Sequence, residues 1–202
     1  MIKDIENTIY QTKLIGKQIW MKTNLNVSKY RNGDSIPQIS DPNEWANTKK
    51  GAWCYYNNNP LNATIYGKLY NWYAVNDSRG LAPKGFHIPS INEYEELITF
   101  LDGTAVAGGK LKDTETKLWI KPNTEATNIS CFSALPGGNR FENGQFGNMG
   151  EYGDWWSSSK ESNDKSKASH LFLYYGLGNV LIHPYLKSCG CSVRCIKNLK
   201  NK

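Results

Sequence analysis

The 202-residue chain contains no run that approaches the roughly 20 consecutive apolar residues of a membrane-spanning helix. Its first residues are charged and lack the apolar core of a secretory signal peptide, which taken literally predicts a cytoplasmic protein. A domain that belongs to a longer exported protein would begin in the same way. A helical membrane protein is therefore excluded, and the location stays open at this point.

Motifs for metal binding and for hydrolysis are absent as well. The cysteines form no C-x2-C pair of a zinc ribbon, and no loop follows the D-x-[DN]-x-[DN]-G pattern of an EF-hand. The three histidines, His87, His170 and His183, lie in unrelated segments without a nucleophile motif. The motifs thus predict no metal site and give hydrolase chemistry no support.

The chain also lacks a concentrated stripe of basic residues. It has 24 Lys and Arg against 18 Asp and Glu, a net charge of +6, but the lysines are scattered and no nucleic-acid-binding module is recognisable. We therefore expect no nucleic-acid partner. A solvated basic surface explains the charge.

Aromatic, glycine and asparagine residues are abundant instead. Aromatics make up 12% of the chain, which has 18 Gly and 22 Asn. This composition favours a turn-rich domain of α+β class and disfavours a helix bundle or a long parallel sheet. The length is sufficient for one domain with a sizeable core, so neither metal nor disulfides are needed for the chain to fold.

The hydrophobic pattern predicts a definite order of elements. Apolar runs at 9–15 and 18–21 flank a glycine turn and predict a β-hairpin, and an Asn-, Pro- and Gly-rich loop follows over 28–63. Two short helices come next, one over 64–75 and one that begins after the capping box Ser90-x-x-Glu93. Antiparallel strands complete the chain. They are a hairpin turning at Asn143-Gly144, a second hairpin over 168–186 and a closing strand over 191–197.

Three of the five cysteines crowd into the closing strand. Alternation places Cys189, Cys191 and Cys195 on one face of it, together with Val193. Packed thiols or one disulfide therefore explain this cluster better than a metal site. The odd number of cysteines leaves one free thiol or an intermolecular bond.

Several segments in order carry a family resemblance. They are GKQIWMKTNLNV (16–27), YRNGD (30–34), GAWCYYNN (51–58), YGKLYNWYAV (66–75), GFHIPS (85–90), AGGKLK (107–112), FSALPGG (132–138), WWSS (155–158) and SVRC (192–195). Together they resemble the Fibrobacter succinogenes major paralogous domain, which is common in cell-surface proteins and lipoproteins of Bacteroidota. The resemblance covers about residues 4–197. We therefore expect a single domain over 1–197 and a basic tail over 198–202.

The resemblance implies a C-type-lectin-like fold with long irregular loops, related to the formylglycine-generating enzymes. It implies an exported domain on the extracellular or outer-membrane surface, held at the membrane only through a lipid anchor outside this chain. Cys54 and Cys195 are the family-typical pair and the expected disulfide, although Cys131, Cys189 and Cys191 depart from the family pattern. No cofactor is expected. The analogy of fold alone leaves a calcium site open among loop carboxylates such as Asp34, Asp41, Glu44, Asp77, Glu151, Asp154, Glu161 and Asp164.

The late loops and hairpins of C-type-lectin-like folds display the ligand-contacting residues. By this analogy we expect a binding face made of aromatic, Asn and charged side chains, a mixture typical of paratopes. Its members are Asn139, Arg140, Tyr152, Tyr174, Tyr175, Asn179, His183 and Tyr185. We expect Trp155 and Trp156, like Trp20, Trp53 and Trp72, to build the core instead.

The expected function is a non-catalytic, surface-exposed recognition or adhesion module for glycan or protein ligands. One alternative is an oxidoreductase of formylglycine-generating type, which would need a solvent-open pair formed by Cys189 and Cys191. Another alternative is a structural or assembly domain of a bacterial surface protein, in which the aromatic residues serve only as core.

Overall fold

The computed structural model describes residues 1–114 and 117–198 and combines helices with antiparallel sheets. Within these ranges the helices are α1 (Pro42–Asn47), α2 (Ala63–Tyr66), α3 (Trp72–Val75), α4 (Ile91–Phe100) and α5 (Thr104–Leu111). The strands of the first half are β1 (Ile2–Lys3), β2 (Ile9–Tyr10), β3 (Thr12–Ile15), β4 (Gln18–Met21), β5 (Trp53–Cys54), β6 (Leu69–Asn71) and β7 (Phe86–His87). Those of the second half are β8 (Asn139–Arg140), β9 (Phe146–Gly147), β10 (Tyr152–Lys160), β11 (Lys167–Tyr174), β12 (Leu181–Leu186), β13 (Gly190–Cys191) and β14 (Ile196–Lys197).

The strands form four sheets, and the closing segment joins two of them. Their orders are β1-β2, β10-β11-β12, β5-β6-β13-β8-β9 and β3-β4-β14-β7. The segment predicted as one closing strand is thus two short strands, each placed inside a different sheet. The last residues of the chain therefore pair with strands from its beginning and its middle.

Three predicted hairpins are confirmed. The strands β3 and β4 pair across the Gly16 turn, β8 pairs with β9 across Gly144, and β11 pairs with β12. Gly16 has φ +59° and Gly144 has φ +83°, a left-handed conformation that glycine adopts without steric cost. The short turn sequences alone were sufficient to locate these connections.

The capping box predicted at Ser90 is present at the start of α4. The Ser90 hydroxyl accepts from the Glu93 backbone N–H, and the Glu93 carboxylate accepts from the Ser90 N–H at 2.8 Å. The Nε2 atom of His87 lies 2.6 Å from Glu93 Oε1, so the carboxylate also ties the helix to β7. The apolar face of α4 packs through Tyr94, Leu97 and Ile98 into the core.

This His87–Glu93 pair makes stability depend on pH. Hydrogen bonding to Glu93 raises the pKa of His87 above its ordinary 6.5, so the folded chain holds this proton more tightly than the unfolded chain does. The contribution of the pair is full just below pH 6.5 and is lost as the pH rises through the raised pKa. We expect urea denaturation to give a difference between wild type and His87→Ala of under about 1 kcal/mol at pH 6, shrinking at pH 8.5. An equal difference at both pH values would contradict this role.

The predicted helix over 64–75 is wrong in its middle. It divides into α2 and α3, with β6 between them. Gly67 ends α2 with φ +73° and ψ −160°, a conformation outside the helical region. The Asn71 side chain then caps α3 by accepting from the Ala74 N–H. The near-helical spacing of apolar residues arose from two short helices and a buried strand in succession.

The predicted loop over 28–63 and the region after Gly103 contain more regular structure than expected. Asp41 caps α1 by accepting from the Glu44 N–H at 2.8 Å, and β5 follows. The helix α5 includes Gly108 and Gly109, which the sequence pattern assigns to a turn. Glycine is required at these two helical positions because the backbones of Asn179 and Glu125 pack against them too closely for a side chain.

The tryptophan framework is confirmed as core. Trp20, Trp155 and Trp156 have no exposed surface, and Trp53 and Trp72 are at most 5% exposed. Their indole N–H groups are paired, for example Trp155 Nε1 with Asn24 Oδ1 at 2.8 Å. Burying rings of this size is the largest favourable contribution that a fold with short strands has available.

A buried arginine connects two core clusters at the end of the chain. Arg194 donates to Asn24 Oδ1 through Nε at 3.1 Å and through Nη2 at 2.7 Å, and to the carbonyl of Phe132 through Nη1. Its guanidinium carbon lies 4.2 Å from the centre of the Phe132 ring. Asn24 in turn donates to the Tyr66 carbonyl at 2.9 Å, so one network joins four distant segments.

The expected disulfide between Cys54 and Cys195 is not formed. Both residues are free thiols and belong to different core clusters, Cys54 beside Trp45 and Cys195 beside Met21. Alternation does place Cys189, Cys191 and Cys195 in one cluster, as packed thiols. Of the predicted tail over 198–202, residues 199–202 lie outside the described residues, and the division into one domain and a tail stays a prediction.

Candidate functional site

The sheet β10-β11-β12 has two unlike faces. Trp155, Leu171 and Leu173 point to its inner face and join one core cluster. The opposite face carries Tyr152, Asp154 and Trp156 on β10, His170, Phe172 and Tyr174 on β11, and Leu181, His183 and Tyr185 on β12. One end of this second face is buried, because Trp156 and Ala168 belong to another core cluster. The other end is accessible to solvent.

A cleft of about 230 Å³ lies at this boundary, and we call it the aromatic cleft. Most of its wall is ring surface, and the rest is amide and carboxylate. Its lining is Asn139, Phe141, Asn148, Tyr152, Asp154, His170, Phe172, His183, Pro184 and Tyr185. No Lys or Arg is among these lining residues.

The rings of the cleft contact one another as a continuous series. His170 stacks on His183 with centroids 5.3 Å apart and on Tyr185 at 4.9 Å. Phe172 packs edge-on against His183 at 5.4 Å and against Tyr152 at 5.0 Å. Each ring is thereby fixed by its neighbours, so the accessible ring faces are held in place before any ligand arrives.

A buried carboxylate and imidazole form the floor of the cleft. Asp154 Oδ1 lies 3.1 Å from His170 Nε2, and His170 Nδ1 lies 2.9 Å from the carbonyl oxygen of His183. Both ring nitrogens of His170 therefore lie within hydrogen-bond distance of an oxygen atom. Burial is the main cause that lowers the pKa of His183 below 6.5, and the neighbouring His170 lowers it further, so His183 is neutral at pH 7.

The second carboxylate oxygen of Asp154 has no partner among the residues that the structure describes. Oδ2 is buried, and the whole residue is 2% exposed. An unpaired buried acceptor costs about 1–3 kcal/mol and demands an explanation in a folded protein. Asp154 Oδ2 is therefore an unused hydrogen-bond acceptor at a residue that lines the cleft.

The polar groups on the wall of the cleft are engaged with one another. Asn139 Nδ2 donates to the Tyr185 hydroxyl at 3.0 Å, and Asn148 Nδ2 donates to Asn139 Oδ1 at 3.1 Å. Burial raises the pKa of Tyr185 far above its usual value, so its hydroxyl keeps its proton. These bonds fix the wall, and they leave Asp154 Oδ2 as the unused polar atom of the floor.

The predicted binding residues are brought together only in part. Asn139, Tyr152, His183 and Tyr185 line the aromatic cleft. Beyond it, Tyr174 contacts Tyr152 at 5.4 Å and Tyr175 at 4.5 Å, which extends the same aromatic surface. Asn179 is half-buried in the turn before β12, and its backbone carbonyl lies against α5.

Arg140, by contrast, is not available to a ligand, and its predicted exposure is wrong. Its side chain has no exposed surface. The guanidinium donates to the carbonyls of Gly144, Ile39 and Ser40 at 2.9, 2.6 and 2.9 Å and stacks 4.5 Å from the Trp45 ring. Arg140 thereby holds the β8–β9 hairpin against the segment before α1, because those carbonyls have no helix or sheet partner.

Asp154, His170 and Phe172 are among the lining residues that were not predicted as binding residues, although Asp154 was one of the carboxylates named for calcium. A signal for them existed in the alternation of the strands. Once Trp155 is assigned to the core, period-two alternation places Asp154 on the opposite face, and the register of the next strand places His170 and Phe172 beside it. That register depends on pairing across a bulge between Trp156 and Lys160, which no local sequence pattern indicates.

A buried lysine orders the loops beside the aromatic surface. The Lys112 ammonium, at the end of α5, donates to the carbonyls of Thr124 and Leu177 at 2.8 Å and of Tyr174 at 3.1 Å. Tyr175 supplies a fourth carbonyl at 3.5 Å. The residue has no exposed surface, and burial lowers its pKa to about 8. One side chain therefore connects the 123–128 loop to the turn between β11 and β12.

The cysteine pair required by the oxidoreductase alternative is not open to solvent. Cys189 and Cys191 have no exposed surface, and burial raises the pKa of Cys189 to about 12 and that of Cys191 well above its usual value. The reactive form of cysteine is the thiolate, which this environment disfavours. Within residues 1–114 and 117–198, no cluster of three or more His, Cys, Asp or Glu side chains is suited to hold a metal ion.

Comparison with known proteins gives one match. The family model described as the Fibrobacter succinogenes major domain matches residues 14–197 of the chain. Neither the curated proteins nor the solved structures contain a match. No helix within the described part of the chain is long and apolar enough to span a membrane.

Proposed function

We propose that this chain, which belongs to the Fibrobacter succinogenes major domain family, is a non-catalytic recognition module that binds a group of a glycan or protein ligand in the aromatic cleft. The observation that carries the proposal is the buried, unpartnered Oδ2 of Asp154 at the floor of a cleft walled by aromatic rings. The family has no established activity that could be transferred to the chain. The proposal therefore depends on the geometry of the cleft.

The cleft combines the two features that recognition sites share. Accessible ring faces of Tyr152, Phe172 and His183 offer apolar contact at low cost in side-chain entropy, because their neighbours already fix them. The carboxylate of Asp154 offers a directional acceptor. The apolar face of a sugar ring or an extended side chain would stack on the rings while one of its donors pairs with Oδ2.

A C-type-lectin-like fold is part of the same proposal. Its support is the placement of the aromatic cleft on the late hairpins β8–β9 and β11–β12, the part of such folds that displays ligand-contacting residues. We further propose display at the extracellular or outer-membrane surface through a lipid anchor outside this chain. The family resemblance supports that location.

We expect Tyr152→Ala and His183→Ala each to weaken ligand binding by about tenfold or more, because each removes a ring face from the cleft. A glycan array and a pull-down from host and bacterial surface extracts, both made with the complete chain, identify the ligand. Titration of the variants with that ligand then measures the loss. Phe100→Ala is the matched control, since Phe100 is 58% exposed on α4 and does not line the cleft.

Two results would count against the recognition function. The first is an array and pull-down that stay blank with a folded wild-type chain, which would favour the structural or assembly alternative. The second is a ligand whose affinity is lost equally in Phe100→Ala and in the cleft variants, since that pattern indicates general destabilisation. The oxidoreductase alternative gains no support from the buried thiols of Cys189 and Cys191.

A further inference from the structure

We propose that the group bound in the aromatic cleft is an alkylammonium cation, held against Asp154 Oδ2 and enclosed by the rings of Tyr152, Phe172 and His183. This inference rests on the proposed recognition function and names the chemistry of the ligand. The class extends from a protonated amine to a quaternary ammonium group. The charge, the remaining polar groups and the size of the cleft support it.

The charge of the floor favours a cation. Asp154 is 2% exposed, and one of its oxygens pairs with His170 while Oδ2 faces no donor among the described residues. In a site of low effective dielectric constant, a positive group a few ångströms from this oxygen gains several times the Coulomb energy that it would have in water. Ring faces add to this attraction, since their negative quadrupoles attract cations, most strongly when water is excluded.

No lysine or arginine of the lining is positioned to compete for that oxygen. The chain has a net charge of +6, yet none of the ten lining residues is Lys or Arg. Arg140 follows the lining residue Asn139 in sequence, but its guanidinium donates to three backbone carbonyls. His183 stays neutral at pH 7 because burial, and then the neighbouring His170, lower its pKa.

The remaining polar groups of the cleft disfavour an anion. The amide of Asn139 donates to Tyr185, and the amide of Asn148 donates to Asn139, so these donors are directed along the wall. Asp154 Oδ2 is left without a hydrogen-bond partner among the described residues, and several aromatic ring faces line the cleft beside it. Both attract a cation. An acidic sugar or a phosphate would meet a carboxylate and no free cationic side chain among the lining residues.

The size of the cleft fits a head group. About 230 Å³ is below the roughly 300–1,000 Å³ of typical small-molecule pockets. The cleft therefore has room for an ammonium group with its substituents and leaves the remainder of the ligand outside. Choline, a trimethyllysine side chain and the amine of an amino sugar share this chemistry, so the experiment must separate these sources.

The test is a calorimetric or NMR titration of the complete chain with choline and with 3,3-dimethylbutan-1-ol, which has the same shape without the charge. We expect choline to bind at least tenfold more tightly than the uncharged analogue. Asp154→Asn should remove that preference, and Phe172→Leu should weaken choline binding while leaving the analogue nearly unchanged. Circular dichroism confirms that each variant is folded, and Phe172→Leu keeps the test usable if Asp154→Asn fails to fold.

Titrations with further probes distinguish the possible origins of the ammonium group. They also separate the cation inference from the recognition function. N-acetyl-trimethyllysine amide and glucosamine replace choline in turn, and the tightest of the three identifies a protein side chain, a choline head group or an amino sugar. Equal affinity for choline and its uncharged analogue would overturn the cation inference. Binding of neutral methyl glycosides, lost in Tyr152→Ala while no ammonium probe binds, would overturn it and leave the recognition function standing. An absence of binding by every probe, together with a blank array and pull-down, would remove both.

Discussion

Replacing Arg194 with methionine is expected to lower the free energy of unfolding by about 3–5 kcal/mol, because it leaves the buried Phe132 carbonyl without its donor and removes two of the three hydrogen bonds that Asn24 Oδ1 accepts. The side chain has no exposed surface, and Asn24 Oδ1 accepts from two of its nitrogens, at 3.1 and 2.7 Å. The Phe132 carbonyl accepts from a third. Methionine fills a similar volume, so the loss reports the missing hydrogen bonds more than a cavity.

The measurement is chemical denaturation followed by tryptophan fluorescence, for which the seven tryptophans provide the signal. Arg31→Met is the matched control, since Arg31 is exposed and its removal should change the free energy of unfolding by no more than about 0.5 kcal/mol. A loss below about 1 kcal/mol in Arg194→Met would mean that water or other groups satisfy these acceptors. The network would then not hold the segments together.

The second large effect is expected for Gly108→Ala, which should lower the free energy of unfolding by at least about 2 kcal/mol. Helix propensity alone predicts the opposite sign, a gain of about 1 kcal/mol, since Gly108 lies within α5. A Cβ at this position would lie 1.9 Å from the backbone oxygen of Asn179 and 2.7 Å from that of Gly178. A backbone segment cannot rotate away as a flexible side chain can, so overpacking outweighs propensity.

Ala105→Gly on the exposed side of α5 is the control for this substitution. It should cost about 1 kcal/mol and so measures the propensity term with no change in packing. Hydrogen exchange adds a local readout. In Gly108→Ala the Gly109 N–H, which donates to the Gly178 carbonyl at 2.8 Å, should lose protection first. An unchanged or increased stability would contradict the close approach of α5 to this turn.

Local signals predicted the features that depend on neighbours in sequence. The capping box at Ser90 and the turns at Gly16 and Asn143-Gly144 are short patterns with local causes, and the structure contains all three. The alternation of Cys189, Cys191 and Cys195 also placed them correctly on one face. The family resemblance is confirmed over residues 14–197.

Features that depend on distant parts of the chain could not be predicted in this way. Arg140 resembled a surface residue because nothing near it in sequence indicates that the carbonyls of Ile39 and Ser40 require a donor. Gly108 resembled a turn residue because the reason for a glycine there is the 176–179 turn. The pairing of Cys54 with Cys195 came from the family pattern, and the two thiols lie in different clusters.

The candidate site shows the same division. Its ring residues on β10 and β12 were predicted by analogy to C-type-lectin-like folds, whereas Asp154 and His170 needed the register between β10 and β11. That register sets which carboxylate meets which imidazole, and a slip of β11 by one residue would send His170 to the core face and away from Asp154. The arrangement of the candidate site is therefore specified by strand pairing more than by any motif.

The cage of carbonyls around Lys112 has a consequence for how the molecule is assembled. Converging carbonyl oxygens are also the ligands that calcium prefers, but here an ammonium group belonging to the chain itself is at their centre. Lys112 is a residue of the polypeptide, so every molecule carries this ammonium group. The carbonyls of the turn that borders the aromatic surface are therefore satisfied by a group of the chain itself and need no bound cation at this position.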